Sequence, residues 1–475
     1  MGEWLNRDHF VYFLIELVEQ LDLSGFLKAY RSDGKGGAAY HPAMMLALLF
    51  YAYCDGERSS RRIEEHCRTD FAYRIITGGL VPDHTTIARF RDRHEKAIAQ
   101  AFVPALGVCL RAGMGDLSLA AVDGSKFRCP ASLRANRTLA GVEKELDRLT
   151  AEIEAELARI VEEILAETHR ADIEDDTLFG PPPPRPPGTL PDIAGLPKKL
   201  RGKATRRARL AKAKDVLDAD WAAERGEHEA RMAERAAEEA RTGKKIRGRK
   251  PKPPQREPGK KINVTDPDSR VMKDAHGAYL QGYNAQNVVA QDRTNLAPAV
   301  VNDENDTAQL HPMIAATGRN LAGAGSARTA GWFVGDTGYC TEQALAGIDP
   351  HGPGVLLATK KDRKTRADAA QAPVNQGPPP EGLSPKEHME WRLGTVEGKA
   401  AYRQRGATVE PVFAQTKHNR GFTRFLRVGL SAADSEWKLI NNTDNIRKLH
   451  RRALSGKAHA AWSTLSQLAC PAPAG

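Results

Sequence analysis

The sequence predicts a mixed α/β protein, with a mixed sheet at its core, an all-helical module ahead of it over residues 1–112, and a helical insertion after the first core strand over 138–261. Three observations predict this. Short apolar runs bounded by turn residues recur at 119–122, 279–291, 296–303, 332–334 and 355–361, and helix-like stretches alternate with them. Apolar residues step by threes and fours at Val142, Leu146, Leu149, Ile153, Leu157, Ile160 and Ile164, the period of an amphipathic helix. Acidic residues stand directly after two of the strand-like runs: Asp123 after Leu119-Ala120-Ala121-Val122, and Asp336 after Trp332-Phe333-Val334-Gly335.

Within residues 1–112, HPAMMLALLFYAYC is apolar almost all round and predicts a buried helix. Ser59 or Ser60 is placed to cap one short helix, and Asp83 or Thr85 another whose face carries Arg89, Arg91, Arg93 and His94. Short helices, a Gly-Gly break and a final basic helix suit a helix-turn-helix DNA reader. A small helical bundle with solvated arginines fits the same pattern. Residues 113–137 hold the first strand of the core. In the insertion, an acidic helix is followed by the proline-rich GPPPPRPPG, then by a second helix over about 203–241 that begins basic and turns Leu210, Leu217 and Trp221 inward. Apolar contacts and opposite charge predict an antiparallel hairpin. The insertion closes on a strap with ten basic residues against one acidic between Arg241 and Lys261. Lys244, Lys245, Arg247, Arg249 and Lys250 are its candidate phosphate contacts, with a solvated linker as the alternative.

The core resumes over 262–450. Two strands are expected around a turn at Asp292-Arg293-Thr294-Asn295, and then a helix capped near Asp306 or Thr307. The strand delivering Asp336 and another at 355–361 follow. Residues 362–400, rich in Pro, Ala and Gly, read as a mobile loop, and WKLINNTDNIRKLHRRAL as a last helix packing Trp437, Leu439, Ile440 and Ile446. Residues 451–475 read as a disordered tail.

At 475 residues and a formal net charge of +10, the chain is long enough for more than one domain and favours a polyanionic partner. Its six cysteines include no C-x-x-C pair, which excludes the usual structural zinc spacing and a secreted disulfide framework. There is no signal-peptide pattern, no apolar run of membrane-spanning length, no G-x-x-x-x-G-K-[ST] and no G-x-S-x-G. The expectation is a soluble cytoplasmic protein without a nucleotide cofactor or a membrane partner.

The chemistry rests on carboxylates. Asp123 and Asp336 are expected at strand ends on the rim of a sheet, where open α/β sheets keep their sites. Pro411 is easiest in the first turn of a helix capped by Thr408, which makes Glu410 a first-turn residue and puts Lys417, seven positions on, on its face. Three converging carboxylates suit Mg²⁺, and two such ions about 3.5–4 Å apart activate the attacking oxygen and stabilise the leaving oxygen of a phosphodiester.

Asp123, Asp336 and Glu410 in that order, with Tyr402 and Arg405 before the glutamate and Lys417 after it, resemble the Y-R-E-K signature of bacterial insertion-sequence DDE transposases. With NVTDPDSR, QGYNAQ and HNRGFTRF, the chain resembles the insertion-sequence-eleven-eighty-two group, related to insertion sequences four and five. Four residues separate Arg405 from Glu410 where the signature usually has three. The resemblance implies an RNase H-like catalytic core and Mg²⁺ as cofactor, with Mn²⁺ able to substitute. Asp123, Asp336 and Glu410 are then both catalytic and metal-binding, and Tyr402, Arg405 and Lys417 hold DNA. It further implies cleavage and strand transfer on double-stranded DNA at the element's terminal inverted repeats, by a homodimer on DNA in the bacterial cytoplasm and nucleoid. A nuclease of the same fold that cuts without joining, and a non-catalytic DNA-binding repressor, are the other readings.

Overall fold

The computed structural model describes residues 5–6, 8–30, 39–171 (backbone only for 164–171), 193, 196–246, 250–254, 259–274, 277–349, 351–360 and 371–456. The proline-rich run 180–188, Arg247, Arg249 and the tail beyond 456 lie outside them. The chain divides into two compact units, residues 1–130 with 271–475, and residues 131–270.

The first unit opens with helices α1 (Phe10–Glu19), α2 (Ser24–Leu27), α3 (Pro42–Asp55), α4 (Ser60–Thr69), α5 (Phe71–Ile76), α6 (His84–Arg93), α7 (Glu95–Gln100) and α8 (Phe102–Arg111). Helix α3 starts with Pro42 in its first turn, where the missing N–H costs nothing, and ends on Gly56 in the left-handed region. Asp83 caps α6 by accepting from the backbone N–H groups of Thr85 and Thr86 at 2.8 and 3.1 Å. Ser59 stands at the N-cap of α4 without making a side-chain cap bond.

Strand β1 (Leu119–Arg128) then runs for ten residues. This corrects the expectation that Asp123 stands at the end of its strand. In the second unit, β2 (Asn136–Thr138) pairs antiparallel with β3 (Lys261–Asn263) around helices α9 (Leu139–Ala171) and α10 (Lys198–Thr242). Val142 and Leu149 on α9 bury against Leu210, Ala213 and Leu217 on α10. The ion pairs Lys199–Glu156, Lys203–Glu152 and Arg206–Glu145 run in opposite chain directions, so the two helices are antiparallel. Trp221, expected inward, is half-buried instead, with the Arg225 guanidinium 4.8 Å over its ring.

Then come β4 (Arg270–Lys273), which begins on the last residue of the second unit, and, in the first unit, β5 (Tyr279–Ala290), β6 (Ala299–Val301), α11 (Leu310–Gly323), β7 (Trp332–Gly335), α12 (Glu342–Ala346) and β8 (Gly354–Leu357). The mixed sheet runs β4-β5-β1-β7-β8, with β6 also on β5. Strands β1 and β5 are antiparallel from Ala120↔Ala290 to Arg128↔Gly282, whereas β1 and β7 are parallel only from Leu119↔Trp332 to Ala121↔Val334. Strands β7 and β8 are parallel. Beyond Ala121, β1 therefore keeps its antiparallel neighbour and parts from its parallel one, which opens a gap in the sheet at Asp123. The expected cap of α11 is corrected: Gln309 occupies its N-cap, and Asp306 turns toward the sheet.

Part of the region expected as a mobile loop is helical: α13 (Pro385–Gly394) and α14 (Val396–Arg403). A capping box joins Ser384 and Glu387 at the start of α13, and Met389 and Ala401 enter the sheet's apolar core, which supplies the ordering that composition alone does not. Helix α15 (Arg405–Ala414) begins five residues before Glu410, so Glu410 lies beyond the first turn and Pro411 is interior. Thr408 is not its cap; the Thr408 hydroxyl donates to the Gln404 carbonyl at 2.9 Å. The proline leaves the Ala407 carbonyl without its helical donor, and Arg293 Nε supplies one at 3.3 Å. Arg293 itself holds a positive φ of 70° in the turn before β6. Residues Gln415–Asn419 continue as a π-helix, which widens the turn and changes where Lys417 points.

Helix α16 (Leu430–Leu454) buries Trp437, Leu439, Ile440 and Ile446, and continues three residues past the expected start of the tail. Between these apolar residues lies a buried polar run. Asn441 accepts from Asn287 at 2.9 Å, and Asn445 exchanges two bonds with the Asn295 backbone at 2.8 and 2.9 Å. Most of these buried amide groups find partners, although Asn287 Oδ1 and Asn442 Oδ1 have none among the described residues. No helix among the described residues is long and apolar enough to cross a membrane.

Candidate active site

Asp123 sits on β1 opposite Asn287, just past the last residue paired with β7. Its Oδ1 accepts the Gly124 N–H at 2.9 Å, and its Oδ2 accepts Arg405 Nη2 at 3.1 Å. The same guanidinium nitrogen lies 3.9 Å from Asp336 Oδ2. Asp336 directly follows β7, and its Oδ1 accepts the Gly338 N–H at 2.8 Å. Two strand-borne carboxylates thus share one cation at the gap in the sheet. Burial pushes the Asp123 carboxyl up to about 6; Arg405 pulls it down, and Asp336 and Asp306 push it further up.

Glu410 is not part of this group. It is exposed, with its Oε1 3.2 Å from where a Cβ would stand on Gly406, next to Arg405 on α15. Among the described residues, no group of three or more His, Cys, Asp or Glu side chains is arranged to hold a metal ion. Lys417 turns onto β1, donating to Ser125 Oγ at 2.6 Å and to the Lys126 carbonyl at 3.1 Å, with the Phe127 ring 4.6 Å away. Its burial lowers the lysine pKa. Tyr402 is half-buried against the core of the sheet.

Asp306 was legible in the sequence only as a helix-cap residue. In the fold its Oδ1 accepts from Asn284 Nδ2 at 2.7 Å and from Gln286 Nε2 at 2.6 Å. Gln286 Oε1 accepts the Tyr339 hydroxyl at 2.5 Å. Burial, and then Asp306, Asp123 and Asp336, hold the Tyr339 pKa well above its usual value, so the phenol stays a donor. Half-buried Lys126 also faces this acidic group: burial lowers its pKa, and Asp306, Glu304, Asp303 and Asp336 raise it. The signal for Asp306 was the alternation of Asn284 and Gln286 along β5, which puts both amides on one face of the strand.

The donors at the gap, two carboxylates that already share one cationic group, are of the hard-oxygen kind a divalent ion takes.

Of the expected DNA contacts, Arg89 is exposed on α6. Arg91 is tied inward, donating to the Arg58 carbonyl at 2.8 Å and to Ser60 Oγ. Arg93 is exposed, with its guanidinium 5.9 Å from the Tyr30 ring. Lys244, Lys245 and Lys250 in the second unit are exposed, and Arg247 and Arg249 are not among the described residues.

Residues 1–93 match a family model described as Transposase domain (DUF772), and residues 379–450 match one described as Transposase DDE domain. The second segment includes Tyr402, Arg405, Glu410 and Lys417; Asp123 and Asp336 fall outside both. No curated protein and no solved structure matches the chain. Over these two segments the chain is similar to transposases.

Proposed function

We propose that this chain is a DDE transposase that cleaves DNA at the terminal inverted repeats of an insertion sequence and transfers the freed strand, with Mg²⁺ or Mn²⁺ as cofactor. The observation that carries this reading is the pair Asp123 and Asp336 on one guanidinium where β1 and β7 part. The sheet order supports an RNase H-like core, with an antiparallel neighbour on one side of β1, two parallel strands on the other, and the second unit as an insertion after β1. Asp123, Asp336 and Glu410 would hold the metal. Bound there, a divalent ion lowers the pKa of an attacking water and neutralises charge on the phosphodiester.

The chain's own residues do the rest. Arg405 leaves the aspartates for a DNA phosphate, and Glu410, one and a half turns further along α15, takes part in the site. Lys417 and Tyr402 position the strand next to β1. Arg89 and Arg93 on α6, with the inward-tied Arg91 ordering α4 against it, form the end-binding face. Lys244, Lys245, Arg247, Arg249 and Lys250 neutralise backbone phosphates without reading sequence. Pairing of two ends calls for a homodimer on DNA, in the cytoplasm and at the nucleoid.

The test is Mg²⁺-dependent nicking of a duplex carrying the candidate ends that flank the coding sequence. Asp123→Asn should abolish nicking and leave end binding within about twofold. Nicking retained by that variant rejects the assignment. Precleaved ends then separate a transposase from a nuclease, since only the former joins them to a target.

A further inference from the structure

The segment HNRGFTRF at 418–425 directly follows Lys417 and has no role in the cleavage proposed above. Its last two residues meet the far end of β1. Arg424 forms a parallel bridge with Arg128, and the Phe425 N–H donates to the Arg128 carbonyl at 2.8 Å. Side chains alternate along extended chain, so the flanking Phe127 and Phe425 turn inward together. Both are 0% exposed, with ring centroids 5.4 Å apart, and the Phe127 ring lies 5.0 Å from that of Trp437. Arg128 and Arg424 are thereby turned outward as neighbours, and both are exposed.

Like charges on neighbouring extended segments repel each other. Arg58, Arg405 and Arg427 in the same unit each pair with a carboxylate, but among the described residues neither Arg128 nor Arg424 has one. The pair is also braced from behind. Arg58 Nη1 donates to the Arg424 carbonyl at 2.6 Å and to Glu436 Oε1 at 3.0 Å, and its guanidinium lies 4.7 Å over the Phe422 ring. Two exposed guanidiniums, held side by side and not neutralised, suit a phosphate group.

Their place in the fold decides which phosphate. Arg91 of α6 donates to the Arg58 carbonyl at 2.8 Å, and Arg58 in turn holds Arg424, so the pair links α6 to β1. Arg128 is five residues beyond Asp123 on β1, about 17 Å at roughly 3.4 Å per residue, and faces the other side of the sheet. That is too far for its guanidinium to touch the bond that Asp123 would cut.

We propose that Arg128 and Arg424 are a backbone-phosphate contact for the duplex that flanks the cut, between the end-binding helix α6 and the cleavage site. The pair neither reads bases nor touches the reacting atoms. The inference rests on the DNA-cleaving reading above and adds a contact surface to it.

The experiment is fluorescence anisotropy of the full-length protein on a labelled duplex carrying the candidate ends, in a chelator, across a salt series. Loss of one phosphate contact should make the plot of log affinity against log salt shallower by about 0.9. Arg128→Gln and Arg424→Gln should each do this, the double variant should lose about twice as much, and Arg424→Lys should keep the wild-type slope. Arg319→Gln, at an exposed arginine on α11, reports the effect of net charge alone. A loss of slope there equal to that of Arg424→Gln overturns the pair. Urea melts establish that each variant is folded, and the two single variants carry the test if the double variant is not. A folded double variant with the wild-type slope, while the wild type nicks the duplex with Mg²⁺, overturns the pair and leaves the cleavage reading standing. Slopes that fall as expected in a protein that never nicks support the pair and overturn the cleavage reading. A wild type that does not bind the duplex overturns both.

Discussion

Replacing Asp123 by Asn should make the protein more stable at neutral pH and no more stable in acid. Asp123 is held between strands with 19% of its side chain exposed, and its carboxyl is pushed from 3.8 up to about 6, first by burial, against the pull of Arg405. The folded state thus prefers the protonated form. The penalty for ionising is absent below about 3.8, grows as pH rises, and is complete above about 6. At roughly 1.4 kcal/mol per pH unit, the gap amounts to about 3 kcal/mol at pH 7.5. Asparagine has the shape of the protonated acid and can still accept the Gly124 N–H, so it removes the penalty without opening a cavity. The assay is urea unfolding of both proteins between pH 4 and 8 in a chelator, so that no divalent ion offsets the charge. The difference in unfolding free energy should fall from about 3 kcal/mol at pH 7.5 toward zero near pH 4. A gain that is missing at neutral pH, or that does not change with pH, refutes the claim that burial outweighs Arg405 at this carboxylate.

Gly124→Ala should cost about 1–3 kcal/mol and reduce nicking, because its Cβ would stand 2.3 Å from Gln286 Nε2 and 2.6 Å from Asp306 Oδ1 in a site with no slack; a thermal melt and the nicking assay read the two effects. Ser384→Ala removes the capping box of α13 and should cost about 1 kcal/mol, seen as faster amide exchange in its first turn. Leu210→Ala, at a fully buried position between α9 and α10, should cost about 2–5 kcal/mol, and the loss of amide protection should be confined to the second unit.

Much of the local structure was legible because local signals agree. The three-and-four spacing from Val142 onward marks α9, the all-apolar HPAMMLALLFYAYC marks α3, and Asp83 marks the start of α6. Two readings failed because a strong local rule met a stronger distant contact. Asp before Gly ordinarily turns the chain, but β5 pairs with β1 through Arg128 and holds that stretch extended. Pro411 ordinarily sits in a first turn, but Arg293, from a turn more than a hundred residues earlier, satisfies the carbonyl that the proline orphans. Residues 385–400 read as loop because Pro, Gly and Ala dominate the composition around them, while the burial of Met389 that orders them is tertiary.

By itself, the sequence determined the alternation of helix and strand, the basic balance, and that Asp123 and Asp336 are strand-borne carboxylates, since period, charge and apolar runs are written one residue after another. Only the tertiary structure decided that Arg405 bridges those two aspartates, that Asp306 accepts from Asn284 and Gln286 while Glu410 stands apart, and that Lys417 packs on β1. Which carboxylates meet depends on strand register and on where β1 leaves β7, and both are set by side chains far apart in the chain that become neighbours only when the sheet forms.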